Sequence, residues 1–218
     1  MAQTTNDSAE LALARQAARH REVEHRVKNT LQLISSIALL QGRRAQDEAA
    51  RQALRAIQQR VAAVSVAHRH VGWNDDAEQV EVAALVREIV SDLAGSAGRE
   101  GVAIDLDLEP VTIPGRQGAP VALLLSETVG NALRHAFPEG RSGRVRVTLR
   151  RLGGTFELSV ADDGVGLAVD ATPASGFGLT VAQLMAQQLR GRLVTEPAQP
   201  GLRLTVTVPM DPQAATRG

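Results

Sequence analysis

The sequence predicts an α+β chain. An N-terminal antiparallel helical hairpin, forming a four-helix bundle in a dimer, precedes an α/β sandwich with helices on one face of a mixed sheet. Three observations carry this expectation. Residues 9–71 contain one Gly, no Pro and much Ala, Arg, Gln and Glu, a composition that favours helix throughout. Beyond Asn74 the apolar spacing switches repeatedly between periods of two and 3.6. With 44% apolar residues in 218, the chain has ample material for a buried core, which excludes disordered and fibrous classes.

Taken in order, Val23, Val27, Leu31, Ile34 and Ala38 form one stripe of a first helix, with Gly42 as its expected C-terminal cap. Asp47 is suited to cap a second helix, along which Leu54, Ile57, Val61, Val64, His68 and Val71 make a heptad seam. A lone hairpin leaves its stripe wet, so pairing with a second copy is expected. Trp73 to Glu78, with Asn74, Asp75 and Asp76, reads as a boundary and hinge between domains at 1–75 and 76–210. Val82 to Leu93 reads as a helix, and Val102, Ile104, Leu106 and Leu108 alternate as a strand. Pro120 and Pro138 bracket a further helix. Val145 to Leu149 and Phe156 to Val160 make a hairpin turning at Gly153 and Gly154. A last helix spans about Leu179 to Leu189, a last strand Leu202 to Val208, and 211–218 reads as a loose tail.

Charge and composition narrow the function. Lys plus Arg and Asp plus Glu each number 24, so the overall basic signature of a nucleic-acid binder is missing. The chain has no Cys, which excludes disulfides, thiolate zinc sites and a cysteine nucleophile and agrees with cytoplasmic residence. Its apolar runs fall far short of the ~20 residues that span a bilayer, so no membrane partner is expected.

Four constellations carry chemistry. His25 lies about 160° from the centre of the first helix's apolar stripe and so faces water, as a nucleophile for a large substrate requires. Glu22 and Asn29 neighbour it, suited to orient the ring and to position a water; alone, a solvated polar face explains the same residues. Glu127, Asn131 and His135, spaced by four, share one helix side opposite Val121, Leu125, Val129, Ala132 and Ala136. Asn131 offers a hard oxygen to a Mg²⁺ otherwise held by water and phosphates, and Arg134 and His135 are placed for phosphate oxygens. In ADDGVGL, Asp162 can accept from an exocyclic amine such as adenine's, and Gly164 and Gly166 permit close approach, although a plain Asp-Gly turn fits these letters too. Finally Gly176 and Gly178 directly precede a helix, a start that can cradle phosphate or simply provide flexible entry. Neither glycine pair fits the P-loop or the dinucleotide-binding pattern.

The order of these segments is specific: HRVKN, ETVGNALRHAF, DDGVG, then GFGL. From about Arg21 to Pro209 the chain resembles bacterial two-component sensor histidine kinases of the H-R-x-K-N subgroup, with a histidine-phosphotransfer dimerisation hairpin and a gyrase-like ATP-binding domain. The resemblance implies that His25 accepts phosphate, Asn131 binds Mg²⁺ with Glu127 nearby, and Asp162 reads adenine. Gly164, Gly166, Gly176 and Gly178, followed by Leu179, would shape the ATP pocket under a short lid at 167–175. Three departures stand out. Arg26 follows the histidine where better-known kinases carry an acid, which shifts the orienting role to Glu22 or Glu24. Arg134 replaces the usual Lys. No Trp-x-Glu occurs in the ATP-binding half, the only Trp being Trp73. His68 is expected inside the bundle, and His20 and His70 have no supporting neighbours.

The implied function is an ATP-dependent protein-histidine kinase that phosphorylates His25 and passes the group to a response-regulator receiver domain. The alternative is an adaptor relaying phosphate between aspartates, its ATP-like domain used for docking; net phosphatase action with Asn29 positioning water is a third reading. About 20 residues precede the His25 helix, so input is expected from a separate sensor protein or a region beyond this chain.

Overall fold

The computed structural model describes residues 26–74, 77–166 and 177–210. The chain divides into two compact units, Met1–Ser65 and Val66–Gly218.

In the first unit helix α1 runs through 26–44 and α2 spans Glu48–Arg69. Asp47 caps α2 as expected, its Oδ2 accepting from Ala50 N at 3.1 Å. Gly42 is not the cap of α1: the helix continues to 44, and Ala45 N donates to Gln41 O at 2.9 Å. Glycine is tolerated there in the final turn, and a left-handed residue is not used. Of the expected α1 stripe, Ala38 is buried, Val27 and Leu31 are half-buried and Ile34 is exposed. Leu33, Ile37, Leu39 and Leu40 are exposed as well.

The second unit begins inside α2, where Val66 and Ala67 are buried. The Trp73 to Glu78 segment, expected as a linker, carries a strand pairing instead. Strand β1 (Val71–Asn74) pairs antiparallel with β2 (Ala77–Glu81), Trp73 opposite Glu78. Strand β2 also pairs with β4 (Thr112–Pro114), giving a three-stranded sheet β1-β2-β4. His68, on the last turn of α2, is exposed and not interior. His70 does have a partner, Glu88 Oε2 at 2.5 Å from its Nε2, while Arg69 pairs with the other carboxylate oxygen.

Helix α3 (Val82–Ala97) starts where Glu81 accepts from Ala83 N and Ala84 N at 3.1 and 2.6 Å, and it ends at Gly98 in the left-handed region with φ 55°. Beyond it, β3 (Val102–Leu108), β5 (Gly143–Leu152), β6 (Thr155–Asp162), β8 (Leu202–Pro209) and β7 (Arg192–Pro197) lie in that order in the main sheet. Only β3 and β5 run parallel, which makes the sheet mixed. The turn between β5 and β6 falls at Gly153, with φ 58°, and Gly154, as the sequence indicates. Alternation fixes which face is buried: Val145, Val147 and Leu149 of β5, Phe156, Leu158 and Val160 of β6, and Leu204, Val206 and Val208 of β8 all lie in the core. Arg144 and Arg146 of β5 face water, Arg144 bridging to Asp105 on β3 at 2.5 Å.

Helix α4 (Gly115–Asn131) begins five residues before Pro120, which therefore lies inside the helix and does not open it. Pro114 at the N-cap and Gly115 permit the earlier start. A Cβ at 115 would stand 2.8 Å from Glu78 Cβ, so only glycine lets the chain turn there. The helix then widens into a π turn, Ala132–Ala136, and a 3-10 turn follows at Pro138–Gly140. Helix α5 occupies Phe177–Gln188.

Candidate nucleotide site

The second constellation is built on α4 and its π turn. Glu127 is buried, Asn131 half-buried, and Arg134 and His135 exposed. Glu127 and Asn131 keep the α-helical spacing of four. His135 does not continue that row as expected, because it belongs to the π turn, whose wider coil shifts each following residue off the α-helical position. Arg134 folds back and donates from Nη2 to Asn131 Oδ1 at 3.0 Å, so a cationic group already stands at the oxygen expected to hold a metal. The titration of His135 is pushed down, first by desolvation and then by the charges of Arg134 and Arg99, which favours a neutral ring.

Gly178 brings the start of α5 onto this pair. A Cβ there would lie 2.6 Å from Glu127 Oε2 and 3.1 Å from Asn131 Oδ1. Two segments nearly fifty residues apart in sequence thus meet, and any larger residue at 178 would require the Glu127 and Asn131 side chains to shift. Leu179, next in the chain, is half-buried on α5.

At the end of β6, Asp162 is buried, and its Oδ1 accepts from Gly164 N at 3.0 Å and Leu202 N at 3.3 Å. Among the described residues its Oδ2 makes no hydrogen bond, which leaves an acceptor of the kind a nucleobase amine needs. Burial raises the Asp162 pKa; the two N–H donors act in the opposite direction and the Asp163 charge reinforces the rise. The following loop docks on the π turn, with Val165 N donating to Ala136 O at 2.9 Å. Gly164 is obligatory there, since a Cβ would stand 2.2 Å from Ala136 O. Gly166 has φ 69°, the conformation that favours glycine.

Thus Glu127, Asn131 and Gly178 are brought together, and Asp162 and Gly164 are joined to the same helix end through Ala136. His25, Glu22, Gly176, the expected lid at 167–175 and the tail at 211–218 lie outside the described residues. Asn29 is exposed on α1. Sequence reasoning missed Arg99, Leu202 and Gly201, the last placed where a Cβ would strike Asp162 O at 1.9 Å. The doublet Pro200-Gly201 before the last strand was the available signal for the two later residues; Arg99 had none.

A helix bearing Glu127 and Asn131, a glycine helix start against them and a buried carboxylate at a strand end gather on this mixed-sheet sandwich as a candidate nucleotide site. Residues 117–212 match the family described as histidine kinase-, DNA gyrase B- and HSP90-like ATPase, and residues 22–97 match a histidine kinase family. Between them the two matches take in most of the chain, which carries the paired domains found in histidine kinases, the first of the H-R-x-K-N type. Sensor histidine kinase PdtaS of Mycobacterium tuberculosis is 30% identical over 188 residues, covering 84% of this chain and 36% of that protein. Blue-light-activated histidine kinase 2 of Erythrobacter litoralis is 26% identical, covering 98% of this chain and 62% of that protein. The chain therefore spans between about a third and two thirds of these relatives. The solved histidine kinase domain of the Erythrobacter litoralis EL346 blue-light activated histidine kinase shares the fold, with a TM-score of 0.69 at 20% identity over 88% of this chain and 98% of that one. No helix among the described residues is long and apolar enough to cross a membrane.

Proposed function

We propose that this chain is the kinase region of a two-component histidine kinase, which transfers the γ-phosphoryl group of ATP to His25 and then to an aspartate of a response-regulator receiver domain. The observation that carries this reading is the meeting of Gly178 with Glu127 and Asn131, since an adaptor has no need to keep that cradle. In this reading residues 1–75 are the phosphotransfer hairpin, 76–210 the ATP-binding domain and 211–218 a tail.

Each residue then has a defined task. The Asp162 carboxylate accepts from the adenine amine through Oδ2, its Oδ1 being held by Gly164 N and Leu202 N. Asn131 would hold Mg²⁺, the fit being supported by its hard amide oxygen lying beside the Glu127 carboxylate once Arg134 turns to the phosphates. The ion would supply charge neutralisation there. Arg134 and His135 contact phosphate oxygens, and Gly176 and Gly178 let the α5 N-terminus approach them. A ring nitrogen of His25 forms the new N–P bond as the bond to the ADP oxygen breaks, with Glu22 orienting the imidazole. Asn29 positions water when the same region dephosphorylates its partner. Exposed Leu33, Ile37 and Leu40 on α1 support a homodimer that covers them. The reaction draws on cytoplasmic ATP, so the region works in the cytoplasm, with its input supplied by a separate sensor protein or a further region.

Incubation with γ-labelled ATP and Mg²⁺ tests the proposal. Acid-labile label on the wild type, absent from His25→Ala, is the expected result. No nucleotide binding and no label would refute it and favour the phosphotransfer adaptor.

A further inference from the structure

The π turn that follows Asn131 is held at its far end by a residue from another element. Arg99 follows Gly98, whose left-handed conformation ends α3. Its Nη1 donates to Phe137 O at 2.6 Å and its Nη2 to Arg134 O at 3.2 Å. Helix ends leave carbonyls without intrahelical partners, and a cation is favourable against them. Here one planar guanidinium satisfies two such carbonyls at once, a fork that only Arg provides. The third nearby acceptor, Ala136 O, is taken by Val165 N. The end of the turn is thereby tied on one side to the loop after Asp162 and on the other to Arg99.

We infer that Arg99 is a positioning residue for the phosphate side of the nucleotide site, fixing the backbone from which Arg134 and His135 project. π turns are uncommon and concentrate at functional sites. This one runs out just before Pro138, and external donors from Arg99 and Val165 hold its last carbonyls in place. Without Arg99 the backbone at Arg134 and Phe137 loses two charge-assisted hydrogen bonds, and Arg134 is no longer held in line to clasp Asn131. The adenine side, built on Asp162, Gly164 and Leu202, keeps its own bonds.

This inference rests on the ATP-binding reading, and its test separates the two. Displacement of a fluorescent ATP analogue by Mg-ATP and, separately, by adenosine is measured on the full chain for wild type, Arg99→Ala and Arg99→Lys. Arg99→Ala is expected to weaken Mg-ATP binding about tenfold. Adenosine binding stays within about twofold, because it lacks the phosphates. Arg99→Lys, which retains the charge but lacks the planar fork, recovers about half of the logarithmic loss. Equal weakening of Mg-ATP and adenosine would show a general structural role and overturn the inference, as would wild-type affinity in Arg99→Ala. Should Arg99→Ala fail to fold, Arg99→Lys decides alone: selective weakening of Mg-ATP supports the assignment and unchanged affinity refutes it. A wild type that binds neither ligand removes the ATP reading itself, and the role of Arg99 with it.

Discussion

Replacing Gly178 by Ala adds a single methyl group at the point where α5 meets α4. Its Cβ would be placed 2.6 Å from Glu127 Oε2 and 3.1 Å from Asn131 Oδ1, well inside ordinary contact with the first. Glu127 is buried, and the strain falls on its carboxylate, the Asn131 amide or the start of α5. Overpacking of this kind costs about 1–3 kcal/mol. Against it stands the replacement of a helical glycine, a gain of about 1 kcal/mol, and the backbone at 178 lies outside the left-handed region that would forbid alanine. Folding stability is therefore expected to change by no more than about 2 kcal/mol. Nucleotide affinity carries the strain in full, because the displaced atoms belong to Asn131, the proposed Mg²⁺ ligand, and to Glu127 beside it, and about 1–3 kcal/mol corresponds to roughly 5- to 150-fold. Denaturant unfolding gives the first quantity and titration with Mg-ATP the second. A folded Ala variant with wild-type affinity would refute the placement of Glu127 and Asn131 at the nucleotide.

Gly164→Ala is harsher, since its Cβ meets the Ala136 carbonyl oxygen at 2.2 Å and backbone cannot move aside; a loss at or above the top of the ~1–3 kcal/mol overpacking range is expected in chemical denaturation. For Asp162, the folded protein holds the proton more tightly than the unfolded chain. Its contribution to stability is complete below the unfolded pKa and lost as pH rises through the folded one. Asp162→Asn should flatten that fall between acid and neutral pH in thermal scans, while Mg-ATP affinity drops at least about tenfold because an amide donor faces the adenine donor. Glu88 behaves oppositely: hydrogen bonds from Arg69 and then His70 lower its pKa, so its stabilisation holds above the ordinary glutamate value and disappears as pH falls through the folded one. The group is partly exposed, so Glu88→Gln should cost under about 1 kcal/mol at neutral pH and nothing in acid. On α1, Leu33→Glu with Ile37→Glu should convert a dimer to a monomer in sedimentation, and an unchanged dimer would place the interface elsewhere.

Periodicity reveals what a segment does against its own neighbours, and the elements read correctly are those whose fate is decided locally. Strands β5, β6 and β8 alternate in sequence because one face is buried along the whole strand, and α3 carries both its cap, Glu81, and its stop, Gly98, within a few residues. Strands β1, β2 and β4 have three to five residues each, too few to display a period, and they exist because they pair with one another. That pairing occupies the segment expected as a hinge, and Val66 and Ala67, upstream of the acidic run, are already buried at the end of α2.

The candidate site divides along the same line. Asn131, Asp162 and the glycines were legible as residue types able to hold metal, base and phosphate, and their order along the chain was more informative than any one of them. The bend that orients them was not legible. ALRHA reads as ordinary helix, whereas the structure has a π turn there, braced at its end by Val165 and by Arg99, 35 and 38 residues away from its two acceptors. His135 was assigned to the Glu127 row for the same reason, since a helical wheel assumes that the turn never changes. Chemistry at this site is therefore written in the motif residues, but their alignment is set by donors that carry no motif. Substitutions at Arg99 or Gly201 should accordingly disturb nucleotide binding while leaving every recognisable sequence signature intact.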